Sequence, residues 1–420
     1  MKSFLKYLLI ILITSSATIF ALMQIAPFII LVPKKDTQEI EINFDQTLTK
    51  KELKKIDKKA KNIILLIGDG MGINQVTAYR IAKGGPNYIS AFDKFPFTSL
   101  VKTHAVDTLI TDSASSATAY SSGIKTVNGY LGVNKDKQIV KNITEMLYEK
   151  GYITSLIATS EITHATPAAF TAHNESRDNT DQIAEAMFRS NNFISLGGGR
   201  DFFVPEDLGG QREDNFDILS LIKEQESYLE SKDDFINFQL DTSKRIFGLF
   251  AKEGFIREDN EPDLLEMFNF TLEQSNKVLV NNCAGFFIMT EGSQIDWEGH
   301  ENDFNGQFKE MDEFDQVVNR ALEYAKTDQN TLVIVLSDHE TGGLLIETDD
   351  WSRNPEPSNK MKISWNTAVG IGTHTGTMIP AFAYGPGAEN IAGVIDNTDI
   401  FFIMKEALGL DELSDRQCLY

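Results

Sequence analysis

From Asn62 onward, short unbroken apolar runs alternate with segments whose apolar residues recur at helical spacing. NIILLIG (62–68), ITSLIAT (153–159), GFFIMT (285–290) and TLVIVLS (331–337) lack the polar alternation of a half-exposed strand. They predict strands buried on both faces. Between them lie amphipathic segments. In QFKEMDEFDQVVNRALEYAK (307–326), Phe308, Met311, Phe314, Val318, Ala321 and Leu322 share one face of a helix. The alternation predicts an α/β fold, with a mostly parallel central sheet sandwiched by helices. The acidic stretch from about 204 to 265 has weaker periodicity and is expected to decorate the sheet edge. No internal repeat and no long Pro/Ser linker follows residue 62.

The amino-terminal pattern is different. Lys2 and Lys6 precede an uncharged stretch from Tyr7 to Pro33, and Lys34 and Lys35 follow it. A basic start and an LLIILI core read as a secretory signal. The run is also about long enough to cross a bilayer. Residues 1–33 are therefore a signal peptide or a retained membrane anchor, and either places the remainder outside the cytoplasm, periplasmic or at the extracellular face of a membrane. Residues 34–61, ending in KKELKKIDKKAK, read as a charged linker that leads into a helix or a frayed arm. Residues 62–420 form the folded domain.

Composition narrows the function. Among 420 residues, 39 are basic and 61 acidic, a formal charge of −22. Nucleic-acid binding needs a basic footprint, so no such role is expected. An anionic substrate is still compatible, because a bound metal reverses the local field. Cys283 and Cys418, the two cysteines, are too few for a disulfide framework or a thiolate zinc cluster. They form one bridge or remain two thiols.

Polar residues gather where the predicted strands end. Asp69 follows the first, Glu291 follows GFFIMT, and Asp338 and His339 follow TLVIVLS. Ligands of open α/β sheets bind at the carboxyl ends of strands. Several carboxylates in one crevice are unfavourable unless cations lie between them. Histidines sharpen the point: His300 is four residues after Asp296, His339 directly follows Asp338, and His374 lies in THTGT. Imidazole with carboxylate suits zinc better than magnesium. GDGMG (68–72) lacks the GxGxxG spacing of a dinucleotide loop. Its glycines instead let the backbone turn tightly while Asp69 faces a cation. TDSASSATAYSSG (111–123) reads as a helix start with Asp112 and Ser113 at its amino end, where N–H groups and dipole suit a phosphate. A serine there is a candidate nucleophile, its pKa lowered by a metal rather than by a histidine base.

The segments IGDGMG, DSASSATAYSSGIKT, HATPAAFTAHNESR, EGSQIDWEGH, LSDHETGG and THTGT stand in this order over residues 62 to about 400. Together they resemble the alkaline phosphatases, metal-dependent phosphomonoesterases. The resemblance implies an alkaline phosphatase-like fold and a broad-specificity phosphatase acting on small phosphomonoesters, with two zinc ions and one magnesium. It implies that Ser113 is the nucleophile that becomes phosphorylated. Asp296, His300 and His374 would hold the first zinc. Asp69, Asp338 and His339 would hold the second. Asp69 would bridge to a third site completed by Thr166 and Glu291, usually magnesium. Arg177 would clamp two phosphate oxygens with its planar fork, and Asp112 would orient it.

Two positions depart from the commoner family pattern. His164 stands where many members carry Asp, which reaches the third metal through water; it is expected to weaken magnesium binding or favour zinc. Trp297 stands where many carry Lys or His reaching phosphate through water. Its lack of charge is expected to loosen phosphate binding, or it is a packing residue at the pocket rim. His104 and His173 have no role in the pattern and are expected to be structural. The crown, residues 343–371 with Trp351, Pro355, Pro357 and Trp365, is short, which implies an open site; a homodimer is expected as in the family. Rival functions are a phosphodiesterase or sulfatase on the same scaffold, or metal or phosphate binding without turnover. Arg177 occupies space that a second ester group would need, and the flanks of Ser113 lack the Cys/Ser-x-Pro-x-Arg pattern for formylglycine.

Overall fold

The computed structural model describes residues 51–280, 282–347, 360–367 and 373–418. The amino-terminal apolar run and most of the charged linker lie outside the described residues, as do Trp351, Pro355 and Pro357 of the crown. In chain order the described strands are β1 Asn62–Gly68, β2 Phe97–Lys102, β3 Ile153–Glu161, β4 Ile194–Gly198, β5 Ser227–Leu229, β6 Ile246–Leu249, β7 Phe286–Gly292, β8 Thr331–Leu336, β9 Glu340–Thr341, β10 Leu344–Glu347, β11 Lys362–Trp365, β12 His374–Thr375, β13 Ile379–Tyr384 and β14 Gly393–Asp396.

Ten of them form one sheet in the order β14-β2-β13-β8-β1-β7-β3-β4-β6-β5. The pairings are parallel except those of β13, which runs antiparallel to β2 and β8. All residues of β1, β7 and β8 are buried. Alternate side chains feed two cores, as the period of a strand requires. Ile63, Leu65 and Ile67 face a core shared with Tyr120, Ile400 and Met404. Ile64 and Leu66 face another with Phe268, Phe314 and Val318. The helix predicted over 307–326 spans Phe304–Asp328, started by Asp303, whose side chain accepts from Asn305 N. Met311, Phe314, Val318, Ala321 and Leu322 are buried on it; Phe308 only partly.

Two features differ from the expectation. The acidic stretch does more than decorate: β5 and β6 within it extend the sheet by two strands. These strands have three and four residues, too few to show a period. The end of the lysine-rich segment is neither helix nor frayed arm. Ile56 and Ala60 are buried, Ala60 N donates to Ala407 O at 2.7 Å, and Lys59 pairs with Glu406 at 2.7 Å.

Cys283 and Cys418 form a disulfide, with Cα atoms 4.5 Å apart and a separation of 135 positions in sequence. The bridge ties the carboxyl-terminal tail to the entry of β7. There Ala284 N donates to Gly151 O, and Ile153 N to Gly285 O. These are the amino ends of β3 and β7, opposite the strand ends that carry Asp69 and Glu291. Closing so long a loop stabilises by about 2–4 kcal/mol. Cys283→Ser with Cys418→Ser is therefore expected to lower the urea midpoint of unfolding, and reductant to do the same to the native chain. Identical midpoints would contradict a closed bridge.

Candidate active site and metal pocket

The chain turns sharply after β1. Gly70 has φ +72°, and a Cβ there would lie 2.8 Å from both Asp296 Cα and Thr341 Oγ1. Only glycine fits this approach, which brings Asp69 beneath the loops after β7 and β8. Gly70 N donates to Asp338 Oδ1 at 3.1 Å, and His339 N to the same oxygen at 2.9 Å. Glu291 enters from β7, where the register pairs it with Ile67 of β1 and Ala158 of β3.

Ser113 begins the helix Ser113–Ser122, whose N-cap is Asp112. Asp112 Oδ1 accepts from Ser115 N at 2.9 Å. Its Oδ2 accepts from Gly129 N at 3.0 Å and from Arg177 Nη1 at 3.2 Å. One carboxylate thus caps the helix and aims the guanidinium. Ser113 Oγ lies 3.2 Å from His339 Nε2.

Among the described residues, atoms able to ligate a metal converge in three overlapping groups, each within 4.8 Å: Asp69, Asp338 and His339; Asp69, His164 and Glu291; Asp296, His339 and His374. The first matches the set expected for the second zinc. Around Asp296, His300 Nε2 lies 3.2 Å from Oδ2 and His374 Nε2 3.7 Å from Oδ1. So two of the three residues expected at the first zinc, His300 and His374, flank the carboxylate of the third, Asp296, and His339 joins Asp296 and His374 in one ligand group. Beside Asp69 and Glu291, two of the residues expected at the third site, the structure places His164, the position expected to alter that site's metal preference. Imidazole there shifts the donor set away from the all-oxygen shell that magnesium prefers.

The hydrogen bonds leave the ligand atoms unoccupied. Both Asp69 oxygens, Asp338 Oδ2, Glu291 Oε1, Thr166 Oγ1 and His164 Nδ1 are buried with no hydrogen-bond partner. Buried polar atoms are ordinarily paired, and an unpaired buried charge costs several kcal/mol. Six such atoms in one pocket fit cations as their missing partners. His374 Nδ1–H donates to Thr111 O at 3.0 Å, which leaves its Nε2 lone pair facing Asp296.

Thr341 does comparable work for His339. His339 Nδ1 lies 3.2 Å from Thr341 Oγ1, and that hydroxyl donates to Asp296 Oδ1. Sequence reasoning did not single out Thr341. Its signal was present in the HET of LSDHETGG, where strand alternation puts it on the side of His339.

Charge follows the same geometry. Burial pushes the Asp69 carboxyl well up, aided by Asp338, Asp296 and Glu291. Burial pushes Glu291 up to about 7 against the hydrogen bond from Ser293. Burial opposes ionisation of Asp296 as well, but His300, His339 and His374 hold it down at about 2. His164 is pushed down to about 3 by burial and Arg177, so its neutral Nε2 accepts from Arg177 Nη2 at 2.9 Å.

Trp297 is partly exposed and stands edge-on to His164 with ring centroids 6.3 Å apart. Its ring lies over Gly254, where a Cβ would come within 2.1 Å of it. His173 bridges Gly132 O and Glu145, and His104 lies outside the ligating groups.

A mostly parallel sheet thus carries, at its strand ends, groups of atoms able to hold cations and a serine in the first turn of a helix. A family model described as alkaline phosphatase matches residues 60–365 and 345–410. Alkaline phosphatase 4 of Bacillus subtilis is 34% identical, covering 86% of this chain and 92% of its own length. Alkaline phosphatase of Escherichia coli is 32% identical, with 84% and 87% covered. The alkaline phosphatase of the Antarctic bacterium TAB5 superposes with a TM-score of 0.73 at 35% identity, covering 84% of this chain and 99% of that one. A variant of that protein with a histidine replaced by aspartate holds magnesium in its M3 site. The chain belongs to the alkaline phosphatase family.

Proposed function

We propose that this protein hydrolyses phosphate monoesters of broad specificity through a phosphoserine at Ser113, with two zinc ions and one further ion, magnesium or zinc, resident in the pocket. The observation that carries this reading is the placement of Ser113 Oγ 3.2 Å from His339, which itself stands against buried carboxylates whose oxygens lack hydrogen-bond partners. Asp296, His300 and His374 would hold one zinc, and Asp69, Asp338 and His339 the other. Asp69, Thr166 and Glu291 would hold the third ion, with His164 favouring zinc over magnesium there. When bound, the ions supply Lewis acidity and offset the charge of the phosphoryl oxygens and of the attacking and leaving oxygens.

The remaining chemistry belongs to the chain. The Ser113 Oγ attacks phosphorus, and the alcohol departs with a proton. Water then cleaves the Oγ–P bond, which releases inorganic phosphate and restores the serine hydroxyl. The helix amino end adds positive dipole at the phosphoryl oxygens. Arg177, aimed by Asp112 and His164, grips two of those oxygens and leaves no place for a second ester group. Trp297 adds no charge, which favours release of product phosphate. Export to the periplasm or the outer face of a membrane completes the reading. It is supported by the lysine-flanked apolar start and by a disulfide of the kind that persists in oxidising compartments.

The test is p-nitrophenyl phosphate hydrolysis at alkaline pH with zinc and magnesium, beside the bis(p-nitrophenyl) ester. Monoester turnover is expected to exceed diester turnover by far. Chelation is expected to stop it and lower the unfolding temperature, and zinc with magnesium to restore both. Diester turnover equal to or above monoester turnover would favour the diesterase.

A further inference from the structure

Beside Arg177 the surface opens into a cleft of about 320 Å³ lined by Glu161, Thr163, His164, Arg177, Asp178 and Phe202 among others. A second cleft of about 300 Å³ shares Asp178 and Thr180 with it and adds Asp181 and Glu213. Across the two linings Arg177 is the one cationic side chain, His164 being held neutral by burial and by Arg177 itself, against four carboxylates: Glu161, Asp178, Asp181 and Glu213.

The charges nearby do not cancel this. Arg177 already faces Asp112 at 3.2 Å. Arg200 is taken by Asp201 and Glu230, and Arg212 by Asp214. Asp181 spends one oxygen on Glu213 N, which leaves the other. Asp178 is exposed and pairs with no cation among the described residues. Phe202 adds an aromatic face and the buried Thr163 a hydroxyl. Carboxylates and an aromatic ring around an open cleft are the chemistry that recognises an ammonium group. The same surface repels an anionic group. A phosphoryl group gripped by Arg177 has this cleft beside it.

We propose that this acidic cleft is a leaving-group subsite that selects phosphate monoesters whose alcohol carries a cationic nitrogen, as in amino-alcohol and amino-sugar phosphates. The inference rests on the phosphatase reading above and names the substrates that reading leaves open. An exposed ion pair is worth roughly two- to threefold, so two carboxylates give roughly a three- to tenfold preference in kcat/KM.

The experiment compares 2-aminoethyl phosphate with ethyl phosphate in the native protein, Asp178→Asn, Glu161→Gln and the double variant, with p-nitrophenyl phosphate run beside them. The cationic-to-neutral ratio of kcat/KM is expected to fall about three- to tenfold in the double variant. It is also expected to shrink in the native protein at high salt, because exposed charges are screened. Taking the ratio within each protein cancels the intrinsic reactivity of the two esters. A ratio that stays the same in all four proteins overturns the subsite while p-nitrophenyl phosphate turnover upholds the phosphatase. Loss of all turnover in the metal-loaded native protein overturns the phosphatase reading, and the subsite with it.

Discussion

Ser113→Ala is expected to reduce p-nitrophenyl phosphate turnover by on the order of a thousandfold or more, because the atom that forms the covalent bond is gone. The fold is expected to survive the change. Ser113 is the first residue of its helix, and the cap is Asp112, which keeps its bonds to Ser115 N, Gly129 N and Arg177. Metal content is expected to persist as well, since the convergent ligand groups do not include the serine. Bound zinc and an unshifted melting temperature, with turnover lost, would therefore assign the loss to chemistry. Turnover within about tenfold of the native value would place the nucleophile elsewhere, in a water molecule or another side chain.

Asp69→Asn carries the second large effect, and its sign depends on the metal. Asp69 is fully buried, both its oxygens lack partners, and it belongs to two of the three ligand groups. With metals supplied, the variant is expected to lose roughly a hundredfold or more in turnover. In metal-free protein the same change removes a carboxyl that burial, with Asp338, Asp296 and Glu291 beside it, makes costly to ionise as pH rises. There the variant is expected to melt about 2–4 °C higher than the native chain. The pH dependence has the matching sign. Carboxyls whose folded pKa is raised hold protons that the unfolded chain releases. Metal-free native protein is thus expected to lose stability as pH rises from about 4 through about 7, where Glu291 ionises. Asp69→Asn is expected to lessen that slope. A variant that melts lower than native in both states would show that Asp69 supports the fold rather than a cation.

Much of this was legible in the residues because burial on both faces leaves a plain mark. β1, β7 and β8 are unbroken apolar runs, and their carboxyl ends announce Asp69, Glu291 and Asp338. The amino end of the Ser113 helix was legible for a similar reason: an Asp–Ser start followed by alanine has a local physical meaning. What depends on contacts between distant segments was not. Nothing in IPAFAY (379–384) reveals that β13 runs antiparallel between two strands from elsewhere in the chain. The three residues of β5 are held by β6, not by their own pattern. The bridge between Cys283 and Cys418 joins segments 135 residues apart. Ser113 and His339 meet across 226 residues, and local pattern alone does not pair them; the family resemblance does. His164 lies in the group with Asp69 and Glu291, a placement that the residues of HATPAAF do not give by themselves and that the family resemblance does. Thr341 was overlooked because threonine is common and its meaning here depends on the two ligands it touches.

The claim on which the account turns is that phosphate passes through Ser113. The stereochemical course at phosphorus tests it most directly. A monoester bearing an isotopically chiral phosphoryl group would be turned over with an alcohol acceptor present, and the configuration of the transferred group measured. Each in-line displacement inverts phosphorus. Two displacements, onto Ser113 and off it, predict net retention. Net inversion would mean a single direct displacement, and would contradict a phosphoserine on the path.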